Sequence, residues 1–173
     1  MYVERLDGGH DFASFRCGVE ALDIWLSVHA LENQRRNLSR TFVLIDGGQV
    51  IGYYSLTMGG VSKDELPRRY AKGLPNTFEI GMVLLARLAI SIDHQGSGLG
   101  RDLLVDAIAQ AATAGEHAAA RFIAVDPIDD RARSFYAAFG FRDIPGDGEE
   151  GKGRRMYLRL DEAITAFGIA SSP

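Results

Sequence analysis

One glycine-rich segment, Gln95 to Arg101, constrains the fold of this chain more than any other feature of its sequence. It follows an apolar run from Met82 to Ile92, typical of a buried strand, and precedes an amphipathic helical pattern. The apolar face of that pattern consists of Leu99, Leu103, Leu104, Ala107, Ile108 and Ala111. Glycines let the backbone approach an anion closely, and a helix N-terminus presents unpaired N–H groups and a positive dipole end. The order of strand, turn and helix therefore predicts a phosphate-binding turn.

This turn differs from the two best-known phosphate-binding motifs. A Walker loop would require Lys and then Ser or Thr after the last glycine, where this chain has Arg101 and Asp102. The dinucleotide-binding fingerprint would require a third glycine in place of Arg101. What remains is the pattern Gln-x-x-Gly-x-Gly from Gln95 to Gly100, and the alternative is a glycine-rich turn that holds no ligand.

Length and composition predict one soluble domain over residues 1–173. The chain is 46% hydrophobic and 24% charged, as ordinary globular proteins are, and its 173 residues suffice for one sizeable core. No apolar run reaches membrane-spanning length, and Met1 to Arg5 lack the apolar core of a signal peptide, so we expect a cytoplasmic protein. Cys17 is the only cysteine, which excludes an intrachain disulfide and a thiolate metal cluster, and we expect no metal.

Periodicity and turn signals predict strands that alternate with helices in a mixed sheet. Gly47 and Gly48 indicate a hairpin, Gly115 is expected to end the long helix just before His117, and Gly146 to Gly153 are expected to form a surface turn. Residues 59–77 are interpreted as a mostly irregular connection. The predicted strands are residues 2–6, 41–45, 49–57, 82–90, 121–125, a strand after Phe141, and 154–160. The predicted helices are residues 19–34, 99–114 and 129–138, and the apolar face of the first comprises Leu22, Trp25, Leu26, His29 and Ala30.

The charge distribution leaves room for a local polyanion site. A net charge of −4 argues against indiscriminate coating of nucleic acid. Basic residues nevertheless form three groups, and each alone is typical of a solvated face. These groups are Arg35, Arg36 and Arg40; Arg68, Arg69 and Lys72; and Lys152, Arg154 and Arg155. Only their convergence in space would create a binding site.

A second motif lies downstream of the glycine turn and makes the pattern specific. Ala132-x-x-Phe135-Tyr136 is followed by Phe139-Gly140-Phe141. Together with Gln95 to Arg101 at this separation, it resembles the signature motifs of the GNAT superfamily of N-acetyltransferases over roughly residues 40–160. The resemblance implies an α/β (α+β) fold with a mixed, mostly antiparallel central sheet, splayed between its central strands and flanked by helices.

The GNAT resemblance also implies a donor site for acetyl-CoA. Backbone groups of Leu88 and Ile90 would hydrogen-bond the pantetheine arm, and Ser134 would contact the cofactor. Tyr136, at the family's tyrosine position, would protonate the leaving thiolate, since a phenol with an unperturbed pKa near 10 keeps its proton at neutral pH. A core tyrosine that packs beside Phe135 is the alternative. The pyrophosphate would lie on Gln95, Gly96, Ser97, Gly98, Leu99, Gly100 and Arg101.

Two parts of the implied site depart from the family pattern or lack a marker. Many members carry Asn where this chain has Asp129, so a contact of that side chain with the cofactor competes with an N-cap role for Asp129 or Asp130. No residue is marked as the general base. His94 and Glu79 are weak candidates, and bulk solvent suffices for an α-amine with an unperturbed pKa of roughly 8.

The N-terminal third resembles a narrower group, the GNAT toxins of bacterial toxin–antitoxin modules. The match rests on Phe15 to Leu26, Ala30 to Gln34, Ser39 to Val43, Gly52 to Leu56 and Leu85 to Ile90. This resemblance implies acetylation of the α-amine of aminoacyl-tRNA, a ribbon-helix-helix antitoxin partner and a homodimer. Core packing is the alternative role for Trp25.

With a tRNA substrate, the basic groups would bind backbone phosphates, because phosphate contacts position a polyanion without reading its sequence. Arg87 is the best single candidate, and a partly buried ion pair is its alternative role. The expected tRNA contacts are Arg87, Arg35, Arg36, Arg40, Arg68 and Arg69. Two other functions stay open: a general small-molecule or protein N-acetyltransferase, and a non-catalytic sensor of acetyl-CoA.

Overall fold

A computed structural model describes residues 1–66, 68–73, 79–143 and 155–169. Within these residues seven strands form one sheet in the order β1-β2-β3-β4-β5-β7-β6. The strands are β1 (Tyr2–Arg5), β2 (Arg40–Asp46), β3 (Gln49–Val61), β4 (Ile80–Ile90), β5 (Ala120–Val125), β6 (Arg142–Asp143) and β7 (Met156–Arg159). β1 pairs antiparallel with β2, β2 with β3, and β7 with both β5 and β6. The mixed, mostly antiparallel sheet predicted from the sequence is confirmed.

Six α-helices accompany the sheet in the described ranges. They are α1 (Glu20–Ile24), α2 (Ala30–Arg35), α3 (Arg68–Ala71), α4 (Leu99–Ala118), α5 (Asp130–Ala138) and α6 (Leu160–Phe167). A π-helical turn, Trp25–His29, connects α1 to α2, and short 3₁₀ turns occupy Lys63–Glu65 and Ile92–His94. None of the described helices is long and apolar enough to cross a membrane.

The contacts group the chain into two compact units. The first unit comprises Met1–Thr57 and Leu85–Ala107, and the second comprises Met58–Leu84 and Ile108–Pro173. β3 and β4 each contribute residues to both units. The glycine turn therefore belongs to the first unit and Tyr136 to the second.

The β2–β3 hairpin has the turn that the sequence predicts. Asp46 pairs with Gln49, so Gly47 and Gly48 alone form the loop. Both glycines have positive φ, 55° and 83°, the combination that a type I′ hairpin turn requires. The other neighbour of β2 is β1, which lies at the edge of the sheet.

The core of the first unit forms where the N-terminal helices pack on the sheet. Trp25, Leu26 and Ala30 are buried with Val43 and Tyr53. The predicted apolar face is correct for these helical residues but wrong for His29, which is exposed. The π-helical turn inserts an extra residue per turn, so the 3.6-residue period that placed His29 on this face no longer applies.

In the second unit, Phe122 and Ala124 of β5 are buried with Ile80 and Met82 of β4. The prediction that residues 59–77 are mostly irregular is wrong at its start, because β3 continues to Val61. A Cβ on Gly59 would lie 2.9 Å from Met82, and one on Gly60 would lie 2.9 Å from Glu79. These glycines permit close side-chain approach within a strand, and they do not form a turn.

Gly115 does not end the long helix, contrary to the sequence-based prediction. α4 continues to Ala118, His117 lies in its last turn, and the chain leaves the helix at Ala119 with φ 54°. A Cβ on Gly115 would lie 2.8 Å from Leu160 of α6 and 3.0 Å from the Ala120 carbonyl oxygen. The glycine therefore reflects close packing within the second unit.

The C-terminal part of the chain agrees only partly with the elements predicted from the sequence. α6 was not predicted, and β7 is shorter than predicted because Leu160 already begins that helix. A short β6 follows Phe141 as expected. The turn expected over Gly146 to Gly153 lies outside the described residues.

We expect Gly115→Ala to destabilise the protein although alanine favours helices by roughly 1 kcal/mol over glycine. The added methyl group would meet Leu160 and the Ala120 backbone, and overpacking of this kind typically costs about 1–3 kcal/mol. Urea unfolding measures the difference. Thr113→Ala, on the exposed surface of the same helix, is the control and should leave stability within about 0.5 kcal/mol. A stabilised Gly115→Ala protein would contradict the packing explanation.

Candidate active site

The glycine turn has an open, left-handed backbone that leads directly into α4. Gly96 and Gly98 have φ of 77° and 91°, values that favour glycine. A Cβ at either position would meet no atom within 4 Å, so the space above the turn is open. The Gly98 carbonyl accepts the amides of Arg101 and Asp102 and begins the helix. Open glycines and the first amides of a 20-residue helix together fit a pyrophosphate group.

Hydrogen bonds within the turn hold its backbone in place. The Ser97 hydroxyl donates to the His94 carbonyl, and the His94 ring Nδ1 lies 2.8 Å from the Ser91 hydroxyl oxygen. The Ser91 amide in turn donates to the Ile51 carbonyl of β3 at 2.8 Å. His94, a weak candidate for the general base, thus has one ring nitrogen bonded to a neighbouring hydroxyl.

Gln95 ties the turn to two other segments of the first unit. Its side-chain Nε2 donates to the Cys17 carbonyl at 2.8 Å and to the Ile90 carbonyl at 2.9 Å. The Ile92 amide also donates to the Arg16 carbonyl at 2.8 Å. Gln95 therefore positions the turn relative to the end of β4. Sequence reasoning selected Gln95 as a ligand contact and missed this bridging role, because its partners are backbone atoms remote in sequence.

Arg87 lies on β4 and stacks on an aromatic side chain. Its guanidinium carbon is 4.3 Å from the centroid of the Trp25 ring, a cation–π geometry. The Trp25 ring in turn stacks on Tyr53, with centroids 5.8 Å apart and an angle of 12°. Arg87 is half-buried, and burial lowers the pKa of its guanidinium. No carboxylate among the described residues pairs with Arg87, so the ion pair considered as its alternative role is not observed there.

The other predicted tRNA contacts lie on α2, β2 and α3, or between α2 and β2. Arg35 and Arg36 are exposed at the end of α2, whereas Arg40 donates to the Asn37 side-chain oxygen at 2.6 Å. Arg68 and Arg69 begin α3 in the second unit. Of the third basic group, Lys152 and Arg154 lie outside the described residues, and Arg155 forms a bidentate ion pair with Asp126 at 2.8 Å.

Tyr136 is buried in the second unit among aromatic rings. It lies on α5 and packs against Phe135 and Phe141, with centroid distances of 5.2 and 5.6 Å. Burial raises the pKa of its phenol to about 12. The hydroxyl makes no hydrogen bond with the described part of the chain. Tyr136 is thus both a core residue, as the alternative role supposed, and a protonated phenol whose hydroxyl donates to none of the described residues.

Residues near the start of α5 support this helix. The Asp129 carboxylate accepts the Ala132 amide at 2.7 Å and is the N-cap of α5, as the N-cap alternative predicted. The Ser134 hydroxyl, exposed on the helix, donates to the Asp130 carbonyl at 2.9 Å. Glu79, a weak candidate for the general base, is exposed at the start of β4.

Comparison with known families identifies the class of this protein. Residues 37–143, more than half of the chain, match the acetyltransferase (GNAT) domain family. The chain belongs to the GNAT family and is an N-acetyltransferase.

More specific similarities lie within that family. The chain is 37% identical over 143 residues to a tRNA-acetylating toxin of Mycobacterium tuberculosis (strain ATCC 25618 / H37Rv), covering 83% of this chain and 85% of that protein. It is similar to the solved structure of AtaT complexed with acetyl-methionyl-tRNAfMet, with a TM-score of 0.86, 27% identity, and coverage of 96% of this chain and 98% of the other.

Two further solved structures contain AtaT assemblies. The structure of AtaTR bound with AcCoA has a TM-score of 0.81 and 26% identity, and it covers 96% of this chain and 97% of the other. The structure of a mutant AtaT toxin bound to the C-terminus of the antitoxin AtaR has a TM-score of 0.79 and 25% identity, and it covers 98% of both chains.

We expect Gln95→Glu to destabilise the first unit and weaken acetyl-CoA binding. The change replaces an amide donor with a carboxylate that faces two carbonyl oxygens, and each lost hydrogen bond typically costs about 0.5–1.5 kcal/mol. Urea unfolding and isothermal titration with acetyl-CoA measure both effects. Gln110→Glu makes the same chemical change at an exposed position of α4 and is the control. Equal behaviour of the two variants would contradict the bridging role.

Proposed function

We propose that this protein is a toxin that acetylates the α-amine of aminoacyl-tRNA and thereby blocks translation. The observation that carries the proposal is its 37% identity, over 83% of its length, to a protein described as a tRNA-acetylating toxin. The similarity to AtaT in complex with acetyl-methionyl-tRNAfMet supports the same acceptor class.

Acetyl-CoA is the acetyl donor in this proposal, and it supplies an activated thioester. The first unit offers the open backbone of Gly96 and Gly98 and the N-terminus of α4 to its pyrophosphate. Backbone groups of Leu88 and Ile90 would bind its pantetheine arm. The Ile90 carbonyl already accepts one hydrogen bond from Gln95, and a carbonyl oxygen has a second lone pair. Binding of AcCoA by the related AtaTR supports this assignment.

The remaining donor-site residues have supporting roles in the proposal. The backbone amides of Ser97, Leu99 and Gly100 complete the pyrophosphate turn, and the exposed Arg101 side chain adds a positive charge. In the second unit, Asp129 contributes by capping α5, the helix that carries Tyr136, and the Ser134 hydroxyl remains able to accept a hydrogen bond from the cofactor.

Tyr136 is the general acid in this mechanism. Its raised pKa keeps the proton on Oη throughout the physiological range. As the acceptor nitrogen bonds to the acetyl carbon and the carbon–sulfur bond breaks, Oη donates its proton to the departing sulfur. The nitrogen loses its proton to solvent, which suffices for an α-amine whose unperturbed pKa is roughly 8.

The acceptor contacts involve phosphate groups. Arg87 presents a half-buried guanidinium in the first unit. Arg35 and Arg36 add exposed positive charge there, and Arg40 adds a guanidinium that is hydrogen-bonded to Asn37. In the second unit, Arg68 and Arg69 are the residues proposed to contact phosphates of the tRNA. A few arginines suffice despite the net charge of −4, because phosphate contacts only position the polyanion.

The proposed biological setting is a cytoplasmic toxin–antitoxin module. An antitoxin with a ribbon-helix-helix DNA-binding part would neutralise the toxin, and a mutant AtaT bound to the C-terminus of AtaR supports an antitoxin partner. We further propose that residues 1–173 act as one GNAT domain, which matches solved GNAT toxins over 96–98% of its length, and that the toxin is a homodimer.

The proposed acceptor is tested by incubation with labelled acetyl-CoA and total charged tRNA, followed by identification of the acetylated aminoacyl ends. Label on the α-amine of one or a few aminoacyl-tRNAs is the expected result. Label on free amines or on protein, with none on any charged tRNA, would replace the proposal with a general N-acetyltransferase.

We expect Tyr136→Phe to reduce kcat by about 10²–10⁴-fold, the usual contribution of a positioned general acid. The affinity for acetyl-CoA should change little, because the ring and its packing are retained. Since the phenol loses its proton only as the pH rises through about 12, the wild-type rate should show no alkaline loss attributable to this group below about pH 10.

Stopped-flow or steady-state transfer assays and titration with acetyl-CoA measure these effects. Tyr2→Phe, on the exposed edge strand, is the control and should retain full activity. Unchanged kcat in Tyr136→Phe would exclude the general-acid role.

We expect Arg87→Glu to abolish acetylation of charged tRNA while leaving acetyl-CoA binding largely intact, because it places a negative charge where a phosphate is proposed to bind. Filter binding of tRNA and titration with acetyl-CoA separate the two steps. Arg5→Glu, the same charge reversal on exposed β1, is the control. Equal loss of both ligands in Arg87→Glu would contradict a tRNA contact.

A further inference from the structure

The half-buried Arg87 guanidinium stacks on the ring of Trp25. It lies 4.3 Å from the centroid of the Trp25 ring. Among the described residues none forms an ion pair or a hydrogen bond with it. Taking a charge out of water is unfavourable unless a partner compensates it, so such an arginine is typical of a site completed by an anionic ligand.

The Trp25 ring is itself held on several sides. It stacks on Tyr53, whose hydroxyl donates to the Leu22 carbonyl at 2.8 Å. Phe15 contacts the Tyr53 ring edge-on, with centroids 5.5 Å apart. Trp25 also begins the π-helical turn, a departure from α-helical geometry that is frequent at functional sites. The aromatic surface under Arg87 is therefore rigid.

A stacked guanidinium differs from a flexible positive charge. Stacking on a ring leaves its in-plane N–H groups available, and two of them match the oxygens of a phosphate in a bidentate geometry. With the ring fixed, little side-chain entropy is lost when the anion binds. Lysine could supply the charge but neither the stacking plane nor the bidentate fork.

We propose that Trp25 is a positioning residue that holds Arg87 as a bidentate receptor for one backbone phosphate of the tRNA acceptor strand. This inference rests on the proposed function. The phosphates of acetyl-CoA are a second source of the same chemistry, but they are assigned to the turn that follows β4. Arg87 precedes Ile90 by three residues, about 10 Å along the strand, and so lies away from that turn.

The chain contains one tryptophan, so its fluorescence reports on this site directly. We expect uncharged tRNA to change the emission of Trp25 in the wild type, with a much smaller response in Arg87→Gln. Acetyl-CoA alone should leave the emission nearly unchanged. A response to acetyl-CoA that disappears in Arg87→Gln would assign the phosphate to the donor and overturn the proposal.

Kinetics of the Trp25 variants provide the second measurement. Trp25→Leu should raise KM for aminoacyl-tRNA about tenfold, with kcat and the KM for acetyl-CoA within about twofold of wild type. The slope of log affinity against log salt should fall by roughly 0.7–0.9, the loss of one phosphate contact. Trp25→Phe retains an aromatic face and should retain most of the slope, which keeps the test valid if Trp25→Leu folds poorly.

A double-variant comparison distinguishes positioning from core packing. If Trp25 acts through Arg87, adding Trp25→Leu to Arg87→Gln should cause little further loss of tRNA affinity. Full additivity, or an unchanged salt slope in Trp25→Leu, would show a purely structural role and overturn the inference. If the wild type acetylates no charged tRNA yet its emission responds to tRNA through Arg87, the proposed substrate fails and the phosphate receptor stands.

Discussion

The side-chain amide of Gln95 makes the hydrogen bonds on which the conformation of the glycine turn depends. It connects the glycine turn to the last carbonyl of β4 and to the Cys17 carbonyl before α1. An open turn with two left-handed glycines has little to restrain it, since glycine carries the largest backbone entropy. Two side-chain hydrogen bonds, together with the Ile92 amide on the Arg16 carbonyl, hold such a turn in one conformation before any ligand binds.

The same segment before α1 leads through that helix to the π-helical turn that carries Trp25, so the glycine turn and Arg87 share one support within the first unit. Asp23 of α1 accepts the Cys17 amide at 2.8 Å, while Gln95 binds the carbonyl of the same residue. Burial raises the pKa of the Cys17 thiol to about 11, which keeps it an uncharged packing residue. The N-terminal segment, which also resembles the toxins in sequence, therefore helps to hold the glycine turn in place.

Local signals predicted most of the elements, and long-range packing explains where those signals failed. The Gly47-Gly48 hairpin and the N-cap at Asp129 are properties of a few adjacent residues, so their sequence is sufficient. Gly60 was assigned to an irregular connection and Gly115 to a helix end, because glycine is used equally for turns and for close approach. Only the neighbouring side chains of Glu79 and Leu160 distinguish the two uses. His29 was misplaced because a π-helical turn has no dependable local signature.

The sequence by itself determined the family and selected the glycine turn, Tyr136 and Arg87 as candidate site residues, since each choice depends on residue types at short, characteristic spacing. Tertiary structure decided what surrounds them. It gave Gln95 its carbonyl partners, buried the Tyr136 phenol, and set Arg87 against an aromatic ring. Desolvation and stacking depend on atoms brought together from distant parts of the chain, and the spacing of residues along the sequence does not predict those contacts.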